Sequence, residues 1–86
     1  MRIDQINKIN SVLADYFAKH PGTTIRAKEM MDSFIKANIF QYDHREGLPI
    51  RELLRELDRN NMLHLIPYVH AERKLKNTYW YFSDIA

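Results

Sequence analysis

The chemistry available to this chain lies mainly in its cations. Arg51, Arg55 and Arg59 stand four residues apart, a spacing that on a helix forms one slowly drifting stripe. Such a stripe can reach phosphates, or the guanine edges that bidentate arginines read in a major groove. A second basic group, Arg73, Lys74 and Lys76, with Asn77 beside it, falls in the polar run HAERKLKN against a single Glu72. Long flexible cations at such a site project into water, where they meet a polyanionic backbone or simply keep the surface soluble. Each group has this second, solvating reading. Glu52, Glu56 and Asp58 interleave with the arginines, and glutamates three residues before Arg55 and Arg59 suit a salt-bridged face without net charge.

Other chemistries find little support. The four histidines, His20, His44, His64 and His70, have no ligand spacing or acidic pairing for a metal. With no cysteine there is neither a disulfide framework nor a cysteine-based zinc site, and two glycines leave nothing from which to build a phosphate-cradling loop. No nucleophile-and-base motif is present, so the expectation is a non-catalytic protein that needs no cofactor. Tyr42, His44 and Arg45, in the stretch IFQYDHREG, make a mixed aromatic and basic patch that a protein partner could use. Phe40, in the same stretch, is expected to anchor under it.

These residues need elements to hold them. From Asp4 to His20 the apolar residues Ile6, Ile9, Leu13, Tyr16 and Phe17 recur at helical spacing, and His20-Pro21-Gly22 closes the helix. RAKEMMDSFIKAN reads as a second helix capped by Thr23 or Thr24, with Ala27, Met30, Met31, Phe34 and Asn38 on one face. LPIRELLRELDRNN reads as a third, with Pro49 in its first turn, Ile50, Leu53, Leu54 and Leu57 inward, and Asn60 and Asn61 at its end. The period then changes. MLHLIPYV and NTYWYFS read as an antiparallel hairpin, in which Pro67 must sit at a bulge or with its nitrogen outward. Alternation on the last strand sends Trp80 and Phe82 to one face and Tyr79 and Tyr81 to the other, one pair filling the core.

In the order helix, short extended piece, helix, helix, strand, basic loop, strand, nearly the whole chain resembles the winged-helix variant of the helix-turn-helix fold. The resemblance implies an α+β domain covering residues 1–86, in which TTI forms a brief strand joining the hairpin and HAERKLKN is the wing. It implies duplex DNA as partner, contacted by the third helix and the wing in transcriptional or replicative control. Docking of a protein partner is the alternative use of such a domain. The link between the second and third helices is longer than the three or four residues of a compact helix-turn-helix.

The 86 residues carry a formal net charge of +2, a mild basic excess, and allow one core. No apolar run is long enough to span a bilayer, and MRIDQINKIN lacks a secretory apolar stretch. A cytoplasmic protein without membrane contact is expected, as a monomer or weak homodimer.

Overall fold

The computed structural model describes residues 3–85. It is a small α+β structure of three α-helices and a three-stranded antiparallel sheet. Helix α1 (Ile3–Lys19) buries Ile6, Ile9, Leu13 and Phe17, the stripe expected from their spacing. Its end is tied down. The Thr23 hydroxyl donates to the His20 carbonyl at 2.8 Å, and the Gly22 amide donates to the Asp84 carboxylate at 2.7 Å. Gly22 has φ of 74°, which a residue without Cβ adopts at little cost.

The second helix differs from the sequence expectation. Thr24–Arg26 forms strand β1, so neither threonine caps a helix. The chain leaves the strand through a 3-10 turn, Ala27–Met30, and only Met31–Lys36 is α-helical (α2). A tighter helix suits the abrupt exit from an extended strand. The Glu29 carboxylate accepts the Arg26 amide at 3.1 Å, replacing the expected cap. Ala27, Met30, Met31 and Phe34 are buried. Asn38 is not on that face. It takes φ of 61° after the helix, while Asn38 donates to the Ile35 carbonyl and Ile39 to that of Phe34. This is a Schellman ending, with asparagine at its left-handed position.

Helix α3 (Leu48–Arg59) has Pro49 in its first turn and buries Ile50, Leu53, Leu54 and Leu57. Asn61 closes it in the same way, with φ of 57°, its amide on Asp58 and that of Met62 on Leu57. MLHLIPYV, expected as one strand, is mostly not one. Leu63–Leu65 is a 3-10 turn, Ile66 plugs the core, and strand β2 (Val69–Arg73) starts only after Pro67. Pro67 lacks an amide for a ladder, and Asn10 of α1 holds the turn by donating to the Leu65 carbonyl at 2.8 Å.

Strand β3 (Thr78–Ser83) is central, in the order β1-β3-β2, with both neighbours antiparallel. Trp80 and Phe82 point inward and are buried, while Tyr79 is 48% exposed, as alternation requires. Phe82 meets Phe34 edge to face at 6.1 Å, joining sheet to helices, and Phe40 packs half-buried against the same ring. No helix among the described residues is long and apolar enough to cross a membrane.

Candidate nucleic-acid interface

The leucine face of α3 turns its opposite side to water, and that side carries Glu52, Arg55, Glu56 and Arg59, all exposed, around a shallow depression of about 270 Å³. Arg51 has left this ridge. It is half-buried, and its guanidinium donates to the carbonyls of Arg45 at 2.9 Å and Glu46 at 3.5 Å. The expected arginine stripe is therefore split: Arg55 and Arg59 face outward, and Arg51 braces the connection between α2 and α3. Its Nε is buried without a hydrogen-bond acceptor.

That connection is tightly built. Arg45, Glu46 and Gly47 take φ of 55°, 45° and 90° in succession. Left-handed backbone costs about 1–2 kcal/mol for a residue with a Cβ, so other contacts must hold it. The Gly47 amide donates to Asp43 at 2.6 Å, and Gly47 lies so close against Lys28 that a Cβ there would meet the Lys28 backbone. Lys28 in turn faces Glu46 at 3.7 Å.

The basic hairpin run is also divided. Arg73 is not a free cation at the tip: it ends β2, and its guanidinium grips the Asp58 carboxylate of α3 through two bonds of 2.9 Å. Arg73 thereby holds Asp58 below the usual carboxylate range, and the same bond raises its own affinity for its proton. Lys74 pairs with Glu72 at 3.0 Å, which raises its pKa. The turn closes with the Lys74 amide on the Asn77 carbonyl at 2.7 Å, and Leu75 stands 99% exposed between two lysines. Lys76 and Asn77 are exposed.

Helix and hairpin nevertheless meet. Arg51, Arg55, Lys76, Asn77, Thr78 and Trp80 line one concavity of about 260 Å³. It adjoins a cleft of about 690 Å³ whose lining includes Arg26, Lys28 and Arg45 beside Arg51, with Tyr79 and Tyr81. Arg26 and Lys28 were not singled out in the sequence, because TIRAK carries no motif. Only the folding of β1 against β3 brings them beside the hairpin.

The loop patch separates too. Tyr42 is 64% exposed and its ring lies 5.4 Å from that of His44, whereas Arg45 belongs to the cleft. Among the described residues no three His, Asp or Glu side chains gather as a metal-holding group. Protein-family models, curated proteins and solved structures give no match to this chain.

Proposed function

We propose that the chain is a winged-helix domain that binds duplex DNA without catalysis, as a regulator of transcription or replication. The observation that carries this reading is the shared concavity of Arg51 and Arg55 from α3 with Lys76 and Asn77 from the hairpin loop. A helix with an open outer face and a cationic loop at its flank suit a major groove and the neighbouring phosphates. Arg55 and Arg59 have the exposure to reach bases or phosphates, Lys74 and Lys76 to touch the backbone, and Arg51 and Arg73 to hold helix, loop and hairpin in place.

The test is duplex binding titrated with salt. With Arg59, Lys74 and Lys76 on phosphates, log K against log salt should fall with a slope of about −2.7, or 0.9 per contact. Lys76→Ala should weaken all duplexes alike and make the slope shallower by about 0.9, whereas Arg55→Ala should relax preference at particular bases. Wild-type protein that binds no mixed duplex at low salt refutes the reading. A protein-docking role remains the second reading, favoured by one observation: the outer ridge of α3 alternates Glu52, Arg55, Glu56 and Arg59 and so carries no net charge.

A further inference from the structure

The sheet has an open edge inside the larger cleft. Strand β1 stops at Arg26, opposite Tyr81, whereas β2 stays paired with β3 as far as Thr78. Beyond Arg26 the chain turns off into its 3-10 helix with Ala27 still opposite Trp80, so no strand lies beside Thr78 and Tyr79 on that side. The register tells which backbone groups face the gap. Ser83 donates to the Tyr68 carbonyl and Lys74 to that of Asn77, which places the main-chain bonds to β2 at the odd-numbered positions of β3. The amide and carbonyl of Thr78 therefore point the other way, toward the cleft, as do those of Trp80, whose place in the ladder Ala27 already fills.

An unpaired strand edge is a template for another extended chain, and proteins ordinarily cover or blunt one. Here the edge borders a cleft of about 690 Å³. The charge of the cleft selects the occupant. Its two carboxylates are each matched by a lysine, Glu46 by Lys28 and Glu72 by Lys74. Arg26 and Arg45 make no ion pair among the described residues, which leaves the cleft net positive.

We infer that this cleft docks an extended acidic segment of a partner protein, which lies beyond Ala27 along β3 and pairs with Thr78 while its carboxylates meet Arg26 and Arg45. This activity is separate from duplex binding and does not rest on it. Main-chain pairing supplies the fit, and the arginines set the preference for acid.

The probe is a fluorescein-labelled heptapeptide of alternating valine and glutamate, measured by polarisation against the full chain at physiological salt. A second peptide of identical charge, N-methylated at alternate residues, removes strand pairing and leaves electrostatics. The inference expects the first peptide to bind and the second to fail. Thr78→Pro deletes one edge amide at the first position of a strand, where proline is tolerated, and should weaken binding about three- to tenfold. Arg26→Glu, an exposed change that spares the backbone, should weaken it further while the chain stays folded. Amide exchange gives an independent readout: Thr78 should exchange fast when free and slowly when peptide is bound. Equal binding of both peptides overturns the inference, as does unchanged affinity in folded Arg26→Glu. So does a dT8 oligonucleotide that slows Thr78 exchange where the acidic peptide does not.

Discussion

Gly47→Ala should damage this protein far more than Gly22→Ala, although both glycines have positive φ, 90° and 74°. At Gly22 an added Cβ meets nothing within 4 Å. The cost there is left-handed backbone alone, about 1–2 kcal/mol, offset by the roughly 0.4–1 kcal/mol that a less flexible unfolded chain contributes. At Gly47 the same terms apply, but the new Cβ also collides with the Cβ of Lys28 and lies 2.8 Å from its Cα. Neither atom can swing aside, because one is the Lys28 backbone and the other is the Cβ fixed to it. One of the two segments must move, and overpacking of that kind costs about 1–3 kcal/mol. The net expectation is a loss of about 2–4 kcal/mol for Gly47→Ala and about 1 kcal/mol or less for Gly22→Ala. For a domain of this size 1 kcal/mol shifts Tm by about 4–8 °C, so thermal or urea unfolding separates the variants easily. Equal losses would refute the close approach of the α2–α3 connection to Lys28, and with it the shape of the cleft that Arg45 lines.

Two further outcomes follow from the geometry. Asp58→Asn should destabilise at neutral pH. Because Arg73 depresses the folded-state pKa of Asp58, the wild-type advantage is fully present above the unfolded carboxylate value near 3.9 and vanishes as pH falls through the folded value; an advantage unchanged at the acid end would contradict the bridge. Asn61→Gly should be more stable than Asn61→Ala by about 1 kcal/mol in urea unfolding, since the position is left-handed and closes α3.

The sequence announces its helices where periodicity is strong and loses them where a neighbour in space decides. The stripes of α1 and α3 are each complete within one segment, so Ile6 to Phe17 and Ile50 to Leu57 could be assigned inward from spacing alone. The start of the second helix could not. Whether Thr24 caps a helix or joins a strand depends on β3, which lies more than fifty residues away and offers Ser83 as its partner. MLHLIPYV misleads for a related reason: its branched residues suit a strand, but Ile66 fills a hole in the helical core, and Asn10 of α1 holds the preceding turn.

The candidate site shows the same limit in its charges. Sequence reading weighed Arg73 as a free cation because it falls in a mostly basic run at the tip of a hairpin, and weighed Arg51 with Arg55 because they share a helical spacing. Neither signal contains the partner. Arg73 meets Asp58 fifteen residues earlier, across the boundary between α3 and the hairpin, and Arg51 meets carbonyls that become available only because Arg45 and Glu46 adopt left-handed backbone. Both arginines thus exchange reach for rigidity. A hairpin anchored to the helix by a bidentate bridge presents Lys76 and Asn77 at a fixed offset from Arg55, which a loop of free cations could not do. If the interface reads a duplex, its geometry is set by these two braced arginines and its affinity by the exposed ones. Substituting a braced arginine should then shift specificity and stability together, whereas substituting Lys76 should shift affinity alone.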